Sequence, residues 1–185
     1  MGEQHKKHNR REHLNDFHLN IAGEYVYDGA LYACQSDDAK QRRSKRAVWG
    51  MAAILTVAVA AGGCIPAPGM QNCFYVLLPY LGEFLGAASV IWALAKLGMD
   101  WGTVREYNYK KSVAVLPVRT AVTAVFSLLG IVCELIFFFV NDHAGQTFFA
   151  LLYVLLKLIA LLSVLVLRAE IMQAEWDKLP KKNNF

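Results

Sequence analysis

The chain contains 185 residues, of which 56% are apolar and 18% are charged, and its formal net charge is +4. This apolar content, together with a positive mean hydropathy, argues against an ordinary soluble domain and favours an integral membrane protein. The basic residues cluster outside the long apolar runs and form no continuous basic face. The sequence therefore predicts a lipid bilayer as the surroundings and no nucleic-acid partner.

The N-terminal 46 residues are mostly polar and divide into two parts. Residues 1–13 are basic and lack apolar periodicity, which predicts disorder. From position 14 onward apolar residues recur at helical spacing, and the next segment, 14–46, is predicted to be a cytoplasmic amphipathic and juxtamembrane segment at the membrane surface. The recurring residues are Leu14, Phe17, Ile21 and Tyr25.

Four apolar runs are long enough, at about 20 residues, to cross the hydrocarbon of a bilayer as helices. The predicted spans are 47–62, 74–97, 118–140 and 148–167. They define an all-α integral membrane fold in which two helical hairpins form a four-helix transmembrane domain over residues 47–167. Residues 168–185 are predicted to be a cytoplasmic tail.

The distribution of basic residues predicts the orientation of these spans. Apart from Lys157 in the last span, the nineteen Lys and Arg residues lie in the N-terminal segment, in the middle loop with its flanks, or in the tail. The other two loops, 63–73 and 141–147, contain none. Because cytoplasmic loops retain Lys and Arg, both termini are predicted to be cytoplasmic, in a plasma or inner membrane.

Three ionisable residues, Glu83, Glu134 and Lys157, lie within the predicted spans. At a rise of 1.5 Å per residue they lie roughly 13, 9 and 13 Å from the outer ends of their helices. Charged groups in hydrocarbon cost about 2.5–3.5 kcal/mol on insertion scales, so each requires an explanation. A four-helix bundle can gather them into one polar cluster. Candidate additional members are Tyr80, Ser89, Ser127, Cys133 and Tyr153.

Two interpretations of this cluster remain open at this point. In the first, Glu83 and Glu134 bind a proton, an ion or a small solute, with Lys157 as their counter-charge. In the second, the charges form an interhelical salt bridge that fixes the packing of the bundle, or they contact a partner protein. Close packing is itself predicted, because Gly82 and Gly86 give the second span a face of small residues.

Cys64 and Cys73 flank the first outer loop and are candidates for a disulfide if that compartment is oxidising. A four-span bundle with outer cysteines is similar in topology to membrane thiol oxidoreductases, but the chain has no C-x-x-C motif. Redox catalysis is therefore the third of three functional alternatives.

The sequence contains no signature of a known catalytic site. It lacks a Gly-rich phosphate loop, an H-E-x-x-H motif and a G-x-S-x-G motif. No cofactor or metal is predicted, since the N-terminal histidines fit no tight helical pair. The favoured function is a non-enzymatic component of a membrane transport, envelope or signalling assembly, which associates with itself or with a larger partner. The main alternative is a small ion- or proton-coupled transporter or channel-like oligomer that uses Glu83, Glu134 and Lys157.

Overall fold

The computed structural model of the protein describes residues 17–19, 23, 25–27, 29–98, 101–141 and 147–179. Within these residues the fold is mostly helical. The helices are α1 (Asp38–Cys64), α2 (Pro68–Asn72), α3 (Phe74–Leu97), α4 (Glu106–Lys111), α5 (Leu116–Val140) and α6 (Thr147–Gln173). Four of them, α1, α3, α5 and α6, are long and apolar enough to cross a membrane.

The four long helices correspond to the four predicted spans. The bounds of α3 agree with the prediction, and α5 begins two residues earlier than predicted. The first and last helices are longer, because α1 already begins at Asp38 and α6 continues to Gln173. Both extensions carry charged residues, so helical structure continues past the apolar run at the same end of the bundle.

The four long helices do not pack as two equivalent hairpins. α5 and α6 pack together closely, as do α3 and α5, whereas α1 packs mainly on α6 and only lightly on α3. The short helix α2, which begins at Pro68, is inserted in the connection between α1 and α3 and contacts α3, α5 and α6. The bundle is thus closed by its first and last helices.

The predicted amphipathic helix after position 14 is wrong for the residues that the structure describes. Phe17–Leu19 and Tyr25–Tyr27 form an antiparallel pair of strands, β1 and β2, in which Phe17 lies opposite Tyr27. Gly23, between the strands, has a φ of +79°, a conformation that a helix interior does not contain and that glycine adopts readily. Aromatic residues at 17, 25 and 27 also favour extended backbone. Leu14, Ile21 and the predicted disordered segment 1–13 lie outside the described residues.

A three-stranded sheet corrects the prediction of an all-α fold. β3 (Leu31–Cys34) lies in the centre, and β4 (Val104–Arg105) and β5 (Trp176–Lys178) pair with it antiparallel on either side. The sheet joins the N-terminal segment, the middle loop and the tail at one end of the bundle, which we call the sheet end. The opposite end, near Cys64 and Val140, is called the loop end.

Aromatic side chains attach this sheet to the bundle. The rings of Tyr32 and Tyr109 are stacked, with centroids 4.1 Å apart. Trp176 packs against Trp101 and Tyr109, and this group adjoins a buried apolar cluster formed by the sheet-end turns of all four long helices. The first part of the predicted tail is therefore folded, since Trp176 belongs to this packing.

Candidate functional site: a buried ion pair and an unpartnered carboxylate

The buried polar side chains of the bundle come from α3, α5 and α6. Glu83 on α3, Glu134 on α5 and Lys157 on α6 are each at most 2% exposed. They face inward because each occupies the buried stripe of its helix, which recurs every three or four residues. On α5 this stripe includes Thr120, Thr123, Ser127, Gly130 and Glu134.

Glu83 and Lys157 form an ion pair in the interior. Lys157 Nζ donates to Glu83 Oε2, and the hydroxyl of Ser127 donates to Glu83 Oε1 at 2.5 Å. Both oxygens of the carboxylate therefore accept a hydrogen bond, and three helices are joined through one side chain. This is the geometry in which a buried ion pair recovers the cost of removing two charges from water.

Aromatic rings and a glycine complete the surroundings of the ammonium group. Lys157 Nζ lies 4.6 Å from the ring centroid of Tyr80 and 5.1 Å from that of Tyr153. Both distances allow cation–π attraction. A Cβ atom at Gly130 would lie 3.6 Å from Lys157 Cε, so the lysine side chain passes directly over this glycine. The Tyr80 hydroxyl donates to the Val59 carbonyl at 3.3 Å, which links the group to α1.

Glu134 differs from the ion pair in having no charged partner among the described residues. Its side chain is 1% exposed, and neither of its carboxylate oxygens accepts a hydrogen bond from a described side chain. Its Oε2 lies against the backbone of Gly69 in α2. The hydroxyl of Tyr153 is likewise buried without a hydrogen bond. Because leaving a buried polar group unpaired costs about 1–3 kcal/mol, Glu134 and Tyr153 are the unsatisfied part of the site.

The structure thus separates the three predicted residues into a pair and a single group. Glu83 and Lys157 are in direct contact, whereas Glu134 is not part of the pair. Ser127, Tyr80 and Tyr153 surround the pair, as the sequence suggested. Ser89 lies elsewhere, and its carbonyl accepts a hydrogen bond from Arg119 Nη1 at 2.7 Å. Sequence reasoning missed Gly69, because no periodicity connects a loop-end turn to a residue on α5.

The two outer cysteines lie at the loop end as separate thiols. Cys64 is the exposed last residue of α1, and Cys73 directly precedes α3. Neither is bonded in this structure, so the disulfide stays a prediction. No group of three or more metal-ligating side chains occurs among the described residues. Comparison of the chain with protein-family models, with curated proteins and with solved structures finds no match in any of the three.

Proposed function

We propose that the protein is a non-enzymatic, multi-pass membrane protein that works as a component of a larger membrane assembly. The observation that carries this proposal is the Glu83–Lys157 pair with its hydrogen bond from Ser127. Two of the three intramembrane charges neutralise each other and join α3, α5 and α6. They therefore act as packing elements, and a solute would have to break the pair in order to use either charge.

The same proposal places both termini on the cytoplasmic side of a plasma or inner membrane. The four long helices support a multi-pass arrangement. Apart from Lys157, the basic residues of the described part lie at the sheet end or on the helical turns next to it. The loop end carries none, which is the distribution that the positive-inside rule predicts. The sheet end is then the cytoplasmic surface of the protein.

The sheet end also offers the surface for a partner. β4 and β5 are the outer strands of the sheet, so each has one edge whose backbone groups no other described strand covers. Open strand edges pair readily with a further strand. On the neighbouring strand pair, Tyr25 is 74% exposed. We expect recognition by a protein segment here and through the apolar outer faces of the long helices.

The proposal is tested by extracting the protein from its native membrane with a mild detergent and measuring the mass of the complex by native mass spectrometry. We expect a discrete species heavier than the 20.7 kDa chain, and no ion or proton flux when the purified chain is reconstituted in liposomes. A species of the single-chain mass together with flux through the reconstituted chain would contradict the proposal.

A second candidate function, a proton- or cation-coupled transporter or channel, rests on Glu134. Glu134 is buried and has no charged partner among the described residues, so a proton or cation would stabilise its carboxylate. The matched test compares Glu134→Gln with Glu175→Gln in liposomes that carry a pH or cation gradient. Flux that is lost in Glu134→Gln and kept in Glu175→Gln supports transport through Glu134. No flux in the wild type, or equal flux in the wild type and both variants, excludes a role of Glu134 in transport.

A further inference from the structure

A polar cavity lies at the sheet end, between the first turns of α1 and the last turns of α6. Its volume is about 240 Å³, which accommodates a phosphate group together with ordered water. Its lining includes Lys40, Gln41, Arg43, Trp101, Glu170 and Gln173. None of these residues belongs to the buried ion pair.

The lining is rich in hydrogen-bond donors, and its basic groups are not used by the fold. Lys40 and Arg43 form no ion pair with any described residue, while the single acid of the lining, Glu170, accepts a hydrogen bond from the Ser44 hydroxyl at 2.8 Å. The lining therefore has a net positive charge with its acid already engaged. Charge-assisted donors of this kind bind phosphate oxygens strongly.

Trp101 gives a second, independent indication that the cavity binds a ligand. Its side chain is 4% exposed, and its indole Nε1 has no hydrogen-bond acceptor among the described residues. A buried indole N–H usually has one. Trp101 forms part of the cavity wall, so an oxygen-rich group bound there would lie beside a tryptophan whose N–H has no acceptor among the described residues.

The position of the cavity along the bilayer normal, measured from the apolar part of α1, indicates the kind of ligand. Lys40 and Arg43 precede the apolar run that begins at position 47, which places them roughly 10 and 6 Å beyond it along the helix. The polar headgroup layer extends about 5–7 Å from the hydrocarbon on each side of a bilayer. The two basic residues therefore lie at, or just outside, the level of lipid phosphates.

We propose that this cavity binds the phosphate of an anionic phospholipid headgroup from the cytoplasmic leaflet. Lys40 and Arg43 bind the phosphate oxygens, and the amide side chains of Gln41 and Gln173 bind the remaining polar groups of the lipid. Basic pockets between membrane helices are a recognised form of anionic-lipid site. The inference rests on the membrane location and orientation proposed above, but it is independent of any protein partner.

The test compares two double variants of the full chain purified in detergent. Lys40→Gln with Arg43→Gln removes the two cavity charges, whereas Arg42→Gln with Arg46→Gln removes two charges from the same helical turns outside the cavity. Native mass spectrometry with added phosphatidylglycerol or phosphatidylcholine measures bound lipid. We expect the cavity variant to lose affinity for phosphatidylglycerol about tenfold or more, and the control variant to stay near the wild type.

Two further arms separate the possible causes of binding. The charge-preserving variant Lys40→Arg with Arg43→Lys should still bind phosphatidylglycerol. Retained binding would show that this turn folds when both side chains are changed. Inorganic phosphate and glycerol 3-phosphate, each added in place of the lipid, should bind only weakly, because they lack the acyl chains that lie in the membrane. Equal loss in both charge-removing variants, no loss in either, or binding of inorganic phosphate as tight as that of the lipid would each overturn the proposal.

Discussion

Glu83 is the residue on which the interior of the bundle depends most. Its carboxylate accepts from Lys157 and from Ser127, so a single side chain connects three helices. Removing one member of a buried ion pair leaves the other charge without compensation, whereas replacing both by uncharged side chains of similar size leaves no charge to compensate. The two kinds of change therefore have different consequences, although each deletes the same contact.

We expect Lys157→Met to lower the free energy of unfolding by about 3–5 kcal/mol, because Glu83 is left as a buried, unpaired charge. The measurement is thermal or denaturant unfolding of the purified protein in detergent. Lys178→Met is the matched control, since it makes the same substitution at an exposed position of β5.

The double variant Glu83→Gln with Lys157→Met distinguishes charge from packing. With both charges removed, most of the lost stability should return, because no ion remains to be desolvated. A double variant as unstable as Lys157→Met would show that the lysine contributes through its packing over Gly130 and between the two tyrosine rings.

At the scale of elements, the approach of α3 to α5 depends on two glycines that the sequence already indicated. A Cβ atom at Gly82 would meet the ring of Phe126, and one at Gly86 would lie 3.3 Å from the Thr123 backbone Cα. The backbone conformation at these two positions does not require glycine, since both lie inside a regular helix. Their effect is to let the two helices come close together.

Gly86→Ala should therefore destabilise the bundle by about 1–2 kcal/mol, because the added methyl group would lie 2.5 Å from Thr123 Oγ1 and 3.3 Å from its Cα, so that Thr123 must shift. Gly50→Ala on α1 is the control, since no atom lies within 4 Å of its Cβ position. That change should be neutral or stabilising by up to about 1 kcal/mol, as expected for glycine replaced within a helix. Unfolding midpoints that fall equally in both variants would contradict close packing at Gly86.

The sheet end is an element that helical periodicity could not reveal. β3, β4 and β5 contain nine residues in all, and they come from three distant parts of the chain. Spacing within one short segment carries no information about which other segments pair with it. The glycines at 23 and 29 were the available signal against a helix, because glycine weakens a helix interior.

Trp176→Ala tests whether the tail holds this sheet together. Its ring packs between Trp101 and Tyr109. Its removal should therefore lower the free energy of local opening of the sheet by about 2 kcal/mol. Hydrogen exchange of the peptide that contains β3 should then accelerate about tenfold or more. Trp92→Ala, at a position on α3 that is 63% exposed, should leave this exchange unchanged.

For the whole molecule, the sequence was informative wherever one rule dominates, and it failed where tertiary contacts decide. The length of apolar runs located four helices to within a few residues, apart from the polar extensions at positions 38 and 173. The rise per residue identified the similar depth of Glu83 and Lys157, but the choice of partner depends on helix rotation and packing order. The unpartnered state of Glu134 depends on the same packing.

The orientation of the whole molecule can be tested with its own cysteines. Cys64 is exposed at the loop end, and Cys34 lies at the sheet end on the other side of α1. Two variants that each keep one of these thiols, with the remaining cysteines replaced by alanine, are treated with a membrane-impermeant maleimide in intact cells. We expect Cys64 to react at once and Cys34 to react only after the membrane is permeabilised.

Because Cys34 is half-buried, Lys178→Cys in a cysteine-free background provides an exposed probe at the same end. If α1, α3, α5 and α6 all cross the membrane, residues 34 and 178 lie on one side and residue 64 lies on the other. If residues 34 and 178 are labelled in intact cells while residue 64 is protected, the orientation is the reverse of the one proposed. Labelling of 64 and 178 from the same side would exclude four crossings, since three helices separate these two positions along the chain.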